Sequence, residues 1–276
     1  MSDKEYIVLY HANCPDGFGS AWSFWNKYGD AAEYIAVRHG GPPPDVSGKS
    51  VFIVDFSYPR DVLLSMNEEA SSLVVIDHHI SAQKELSDLE FCNFDMNHSG
   101  AYLSWAYLFG DKNVPNLILY IEDRDLWKWE LKYSKEILSA VDSYDKTFEN
   151  WDTLNEWLEN GLSDSFQQLL YRGEGILKYK DTLIESLLKN SYVKNIAGFK
   201  VPIVNSPFFQ SEMGSILSKG EKFAAAYYYD GDGYCFSLRS DENGEDVSKI
   251  AKAFGGGGHK RASGFKIKDL KKLSKK

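Results

Sequence analysis

The sequence predicts an α/β protein: an N-terminal domain built on a parallel sheet and closed by a helical section, then a smaller α/β domain. Three apolar runs carry the first part of that expectation: YIVLY at 6–10, VFIV at 51–54 and LVVI at 73–76. They are short and rich in β-branched residues, as buried strands are. Each runs directly into a residue of metal-ligand type: His11, Asp55 and Asp77-His78-His79. The intervening segments have helical character, and a β-α-β-α-β rhythm implies parallel strands joined by right-handed crossovers. In such a sheet the residues just past the carboxyl ends of neighbouring strands converge on one crevice. Positions about 70 residues apart would then share a pocket of imidazole and carboxylate groups, which suits a divalent cation.

The elements follow in order. Beyond His11, Asn13-Cys14-Pro15-Asp16-Gly17 is a turn, and 18–28 reads as a helix with Trp22 and Trp25 at i, i+3 spacing. Residues 34–37 form a strand ended by the Gly40-Gly41-Pro42-Pro43-Pro44 loop. A helix led by Pro59 runs to about Ala70. Ser99 is placed to cap a helix containing Tyr102, Trp105, Ala106 and Phe109. The run 117–121 leads into Glu122-Asp123-Arg124-Asp125, and 131–190 has helical periodicity, with Leu183, Leu187 and Leu188 on one face. From about 197 the character changes: 199–204, 223–229 and 234–238 read as strands, with Gly231-Asp232-Gly233 turning between the last two. A helix at 246–254 runs into four glycines, 255–258, and the lysine-rich stretch 266–276 is expected to end in a solvated helix.

Composition bounds the function. Of the 276 residues, 43% are hydrophobic and 26% charged, and 17 Tyr, 16 Phe and 7 Trp can furnish a real core, which argues against disorder. A net charge of −9 fits poorly with gripping long duplex DNA, where basic surface supplies much of the affinity. Three cysteines (Cys14, Cys92, Cys235) without a C-x-x-C pair make a disulfide framework or zinc ribbon an unfavoured reading. The N-terminus lacks an apolar h-region and no run reaches membrane-spanning length, so a cytoplasmic location without membrane association is expected.

Taken singly, each candidate has an ordinary reading. An aspartate after a strand is a turn former or helix cap, and a histidine is a surface or hydrogen-bonded core residue. The set His11, Asp16, Asp55, Asp77, His78, His79 and Asp123 or Asp125 is less ordinary, because several independent strand ends carry the same chemistry. An Asp-His-His cluster beside a core also requires metal or hydrogen bonds to satisfy it.

Two motifs resemble the DHH phosphoesterase superfamily with a DHHA1 C-terminal domain. The first is Asp77-His78-His79. The second is Arg239-Ser240, then Asp246-Val247-Ser248 and Ile250-Ala251, then Gly255-Gly256-Gly257-Gly258-His259-Lys260-Arg261-Ala262-Ser263-Gly264-Phe265. Their order and spacing make the resemblance cover nearly the whole chain. It implies a DHH catalytic, metal-binding domain at 1–190, with 131–190 as helical section and linker, and a DHHA1 substrate-binding domain at 197–276 facing it across a cleft. It also implies Mn²⁺ or Mg²⁺, two ions per site, and hydrolysis of phosphodiesters or phosphoanhydrides by a metal-activated water.

Carried over by position, Asp55 resembles the carboxylate bridging two metals, Asp16 and His78 ligands of the second metal, and His11 a ligand of the first. Asp123 resembles the final ligand, with Asp125 as its nearby competitor. His79 would sit beside the metals and orient a ligand or the scissile phosphate; with Asp77 and His98 it makes up the catalytic set. His98 lies in Asn97-His98-Ser99-Gly100, which also reads simply as a helix start. Relatives carry D-x-D in the first motif, whereas the matching positions here are Cys14 and Asp16. Either the softer Cys14 thiolate ligates directly, or Cys14 is a packed residue and the first metal site is weaker. Arg239, Ser240, Gly257, Gly258 and His259 resemble the substrate contacts, the glycines letting backbone N–H groups approach an anion and Arg239 gripping a terminal phosphate. Lys260 and Arg261 read as rim charges. Trp127 and Trp129 read as core, or as a stacking shelf for a base.

The leading expectation is thus a phosphodiesterase of short oligonucleotides or dinucleotides, extending to pAp. A pyrophosphatase or exopolyphosphatase and a catalytically degenerate nucleotide-binding module are the alternatives. The expected partner is a short oligonucleotide, dinucleotide or small phosphate ester, and relatives suggest a homodimer.

Overall fold

The computed structural model of the chain describes residues 4–38 and 40–274. It divides into two compact units, Met1–Leu177 and Lys178–Lys276. In the first, a five-stranded sheet is formed by β1 (Tyr6–His11), β2 (Ala32–Val37), β3 (Ser50–Val54), β4 (Ser72–Asp77) and β5 (Cys92–Phe94), in the order β2-β1-β3-β4-β5. Every pairing is parallel, as the sequence rhythm requires. The strands are apolar on both faces because both are covered. Leu9, Ile53 and Val75 enter one core cluster, and Val8, Val54 and Ile76 enter another.

The strand order places the candidate site. The chain leaves β1 toward β2 on one side and returns as β3 on the other, so a crevice opens at the carboxyl ends of β1 and β3. Tyr10 is level with Val54, and Val54 with Ile76. His11, Asp55 and Asp77 therefore emerge side by side at one edge.

The helices of this unit are α1 (Pro15–Tyr28), α2 (Arg60–Glu69), α3 (Ile80–Leu86), α4 (Gly100–Phe109), α5 (Asn116–Asp125), α6 (Ser134–Val141) and α7 (Phe148–Glu159). Helix α8 (Asp164–Leu188) contains the boundary between the units. Phe18 and Trp22 of α1 meet Ile118 and Ile121 of α5, Leu138 of α6 and Trp151 of α7 in a third cluster, which gives the helical section its own core. Pro15 opens α1 at a position whose N–H would have no partner in the helix, and Ser99 caps α4 by accepting from Tyr102 N–H at 3.3 Å. The α3–β5 segment has too few apolar repeats to stand out in the sequence. Its strand has three residues and is an edge.

The second unit carries β6 (Tyr192–Ile196), β7 (Phe199–Asn205), α9 (Gln210–Leu217), β8 (Ala224–Tyr229), β9 (Tyr234–Arg239), α10 (Val247–Ala253), β10 (Gly257–Gly258) and β11 (Ala262–Ile267). The sheet order is β10-β11-β9-β8-β7-β6, antiparallel except for β7 with β8. Val247, Ile250 and Ala251 of α10 pack with Phe236, Leu238 and Phe265 on one face; Met213 of α9 packs with Val204 and Ala226 on the other.

One expectation is corrected here. Lys266 and Ile267 belong to β11, where Phe265 and Ile267 alternate into the core. The expected tail helix is a short 3₁₀ turn at Leu270–Ser274, and Lys275 and Lys276 lie outside the described residues. Within the glycine run, Gly257 and Gly258 pair with Gly264 and Ser263. A Cβ on Gly256 would lie 2.1 Å from the Gly264 carbonyl oxygen, so close backbone approach explains that glycine; Gly257 alone of the pair in β10 faces open space. No helix among the described residues is long and apolar enough to cross a membrane.

Candidate metal centre

Three overlapping groups of potential ligands gather at the sheet edge: His11, Cys14 and Asp55; Asp16, His78 and Asp125; and Asp55, Asp77, His78 and His79. Within each group the ligand atoms lie within 4.8 Å of one another. Asp55 and His78 each belong to two of them. His78 Nε2 is 3.2 Å from Asp55 Oδ1, 3.6 Å from Asp16 Oδ2 and 3.7 Å from Asp125 Oδ2. His11 Nδ1 is 3.5 Å from Asp55 Oδ2.

Each carboxylate is aimed by its element. Asp55, just past the end of β3, is in a left-handed conformation (φ 62°), and Gly100 packs against it so closely that a Cβ there would lie 2.7 Å from Asp55 Cβ. Asp16, in the first turn of α1, accepts Gly100 N–H at 2.7 Å and Ala101 N–H at 2.9 Å. These are two of the donors left without partners at the start of α4, so the helix end and the carboxylate satisfy each other. Asp77 is occupied differently. Its Oδ1 accepts His78 N–H at 2.7 Å and His79 N–H at 3.2 Å and lies 2.7 Å from His79 Nδ1, while Oδ2 accepts Ser57 Oγ at 2.7 Å. Asp77 therefore fixes the loop and the ring of His79.

The electrostatics describe a site short of positive charge. Burial and the neighbouring Asp55 and Asp125 charges hold the Asp16 carboxyl well above the usual range. Partial burial raises Asp125, with His78 pulling the other way. Burial would raise Asp55 too, but the His11 and His78 imidazoles outweigh it and hold it low. Burial would lower His78, but Asp55, Asp16 and Asp125 push it up to about 10. Burial and the same three aspartates push the Cys14 thiol well up. Asp55 Oδ2 is buried and accepts no hydrogen bond among the described residues. A divalent cation fits this donor set: it would meet the orphaned oxygen and neutralise carboxylates that now repel one another.

The structure also separates Asp123 from Asp125. Asp125 joins the cluster, whereas the Asp123 carboxylate accepts Glu130 N–H at 2.8 Å and Leu131 N–H at 3.4 Å. The sequence contains the deciding signal. On α5, Ile118, Ile121 and Asp125 follow i, i+3, i+7 spacing and so fall on one side of the helix, with Asp125 at its open end, while Asp123 falls on the other side and is buried, its carboxylate taken up by the segment that follows. His98 stacks on Tyr102 (3.9 Å between centroids), and its Nδ1 is 3.1 Å from Glu122 Oε2, which also accepts Ser99 N–H.

In the second unit Arg239 is fixed by three contacts: its Nη1 donates to Ser237 Oγ at 3.1 Å and to the Leu238 carbonyl at 2.8 Å, and Nη2 donates to Ser211 Oγ at 2.6 Å. The Ser211 contact was not legible in the sequence, 28 positions away. Gly214 leaves room for the Arg239 stem, since a Cβ there would lie 2.7 Å from Arg239 Cγ. Ser240 Oγ is buried without a hydrogen bond among the described residues. His259 closes the hairpin: its N–H donates to the Ala262 carbonyl at 2.8 Å and its carbonyl accepts Ser263 Oγ at 2.6 Å.

Comparison with known proteins accords with this geometry. The DHHA1 domain is matched over residues 210–275. An uncharacterized protein of Acanthamoeba polyphaga mimivirus is 33% identical over 297 residues, covering 98% of this chain and 69% of that protein. This chain belongs to the DHH/DHHA1 superfamily. Among proteins similar to this DHH/DHHA1 chain, the oligoribonuclease NrnB of Bacillus subtilis is 24% identical over 260 residues, covering 80% of this chain and 60% of NrnB. The chain thus spans less than two thirds of the length of NrnB. The fold is shared with RecJ of Thermus thermophilus in complex with Mn²⁺ (TM-score 0.55, 14% identity, 97% of this chain and 50% of that one).

Proposed function

We propose that this protein is a metal-dependent phosphodiesterase that hydrolyses short oligonucleotides or dinucleotides. The observation that carries the reading is Asp55, shared by the ligand groups His11–Cys14–Asp55 and Asp55–Asp77–His78–His79, whose buried Oδ2 lies 3.5 Å from His11 Nδ1 and accepts no hydrogen bond among the described residues, while its Oδ1 lies 3.2 Å from His78 Nε2. His11, Asp16, Asp55, His78 and Asp125 are the residues to hold Mn²⁺ or Mg²⁺, and the grouping around two shared residues favours two ions. Bound there, such ions lower the pKa of water and offset charge developing on phosphoryl oxygens. The oligoribonuclease relative and the superfamily favour a nucleotide ester as substrate.

The chain's own groups then have distinct tasks. Asp77 holds His79 through Nδ1, which directs Nε2 toward a phosphate oxygen. Burial would lower the His79 pKa, but Asp77 raises it, so the ring approaches phosphate as a donor. Glu122 and the Tyr102 face hold His98, a second imidazole beside the Asp16–Gly100 contact. Asp123 acts by fixing the segment after α5. Arg239, held by Ser211 and Ser237, offers a planar donor fork for phosphate. Ser240, Gly257, Gly258 and His259 line the same region of the DHHA1 signature as the further substrate contacts.

The test is turnover with Mn²⁺ across pAp, pApA, short RNA and DNA oligomers, cyclic dinucleotides, pyrophosphate and polyphosphate, with Asp55→Ala as control. Cleavage of short nucleotides that is lost in the control supports the reading. Orthophosphate release from pyrophosphate or polyphosphate alone would replace it with an anhydride hydrolase, and full activity in Asp55→Ala would remove the metal assignment.

A further inference from the structure

The segment after α5 concentrates backbone strain in aromatic residues. Trp127 (φ 57°), Trp129 (φ 56°) and Tyr133 (φ 61°) all occupy the left-handed region. A bulky side chain there is disfavoured by the contact of Cβ with the following carbonyl, so such a conformation persists only where surrounding contacts impose it. Those contacts are present. The Asp123 carboxylate accepts Glu130 and Leu131 N–H, its carbonyl accepts Lys128 N–H at 2.8 Å, and Tyr120 Oη donates to the Lys132 carbonyl at 3.0 Å.

Trp129 uses its placement for packing: it lies against the core of the helical section with Lys135 Nζ 5.5 Å from its ring centroid. Tyr133, 39% exposed, stands at the N-cap of α6 with Lys132 over its ring. Trp127 neither packs into a core nor starts a helix. It is 41% exposed, joins none of the buried clusters among the described residues, and meets Trp129 edge-on at 5.1 Å. The backbone is thus held in an unfavourable conformation to keep an indole in solvent. That indole is two residues beyond Asp125, whose carboxylate lies 3.7 Å from His78. A rigid indole face suits a flat π-system, and every nucleobase offers one.

We propose that Trp127 is the platform on which a nucleobase of the substrate stacks, which makes the substrate a nucleotide and not an inorganic phosphate chain. This rests on the phosphodiesterase reading for the identity of the ligand. Trp129, braced by the core and by Lys135, is the edge that keeps the platform in place.

The test measures binding, so that it does not depend on turnover. The full chain with Mn²⁺ is titrated calorimetrically with a diadenosine dinucleotide whose bridging ester oxygen is replaced by CH₂, and with the same backbone lacking both bases. Trp127→Ala and Trp127→Gly are expected to weaken dinucleotide binding about 5- to 150-fold, the range that loss of one base stack gives. Trp127→Phe retains most of it, and none of the three changes binding of the base-free analogue or of Mn²⁺. Because glycine relieves the left-handed strain, Trp127→Gly also raises Tm by about 2–4 °C. The proposal is overturned by wild-type affinity in Trp127→Ala, by equal weakening for the base-free analogue, by a lowered Tm in Trp127→Gly, or by no dinucleotide binding to the wild type. Binding through Trp127 with no hydrolysis of any diester would instead uphold the platform and reject the catalytic reading.

Discussion

At the scale of single residues, two aspartates two positions apart stand in different surroundings, and the proposed function gives them different tasks. Asp125→Asn should weaken Mn²⁺ binding at least about tenfold with little change in stability, because it removes a ligand charge from a partly open site. Asp123→Asn should leave Mn²⁺ affinity nearly unchanged and cost about 1.5–3 kcal/mol, the worth of charge-assisted hydrogen bonds to two backbone amides. Calorimetric metal titration and denaturant unfolding of both variants separate the effects, and a metal defect in Asp123→Asn would reverse the assignment. Cys14 poses a related question. Its thiol, pushed up by burial and three aspartates, is a poor donor until metal arrives, so Cys14→Asp should tighten Mn²⁺ binding, and weaker binding would identify Cys14 as a direct ligand. Positions such as His11, Asp16, Asp55 and His78 were legible because each lies at or just past a strand end or in the first turn of the helix that follows, where chain geometry leaves little freedom. Asp123 against Asp125 was legible in principle from the phase of α5 relative to Ile118 and Ile121, which resemblance by position does not use.

At the scale of elements, the start of α4 is a structural part of the candidate site. Its first amides hold Asp16, and Gly100 lets the helix approach Asp55. Gly100→Ala should therefore do more than crowd a core. The added Cβ must displace Asp55 or the helix, costing about 1–3 kcal/mol as overpacking does and weakening Mn²⁺ binding as well. Thermal unfolding with and without Mn²⁺ reads both; a loss of stability with unaltered metal affinity would show that Asp55 is not moved. Helix α9 has the equivalent relation to Arg239 through Ser211, a contact that pattern reading could not find because it joins the first turn of a helix to the end of a strand far along the chain. The same limit hid β5, β10 and β11. Each is short or glycine-rich and is specified by its pairing partner, not by local preference. The longer apolar strands and the α6–α8 helices carry their own periodicity and were legible.

At the scale of the whole molecule, the two units differ in what metal can do for them. The first has three apolar clusters and a group of aspartates that repel one another; the second has its own clusters on both faces of its sheet and, among the described residues, none of the ligand groups. A cation that binds only the folded first unit stabilises it by mass action, by about 2.7 kcal/mol at a hundredfold excess over its dissociation constant. The second unit gains nothing directly. If each unit unfolds on its own core, calorimetry should resolve two transitions, and Mn²⁺ should raise one and leave the other in place, with a chelator reversing the shift. Asp55→Ala should abolish the shift and, because the His11 and His78 imidazoles hold the Asp55 carboxylate charged, should also lower the metal-free transition of the first unit. A single transition that moves as a whole would mean that the units unfold together, and then the metal's stabilisation would be shared by the second unit as well.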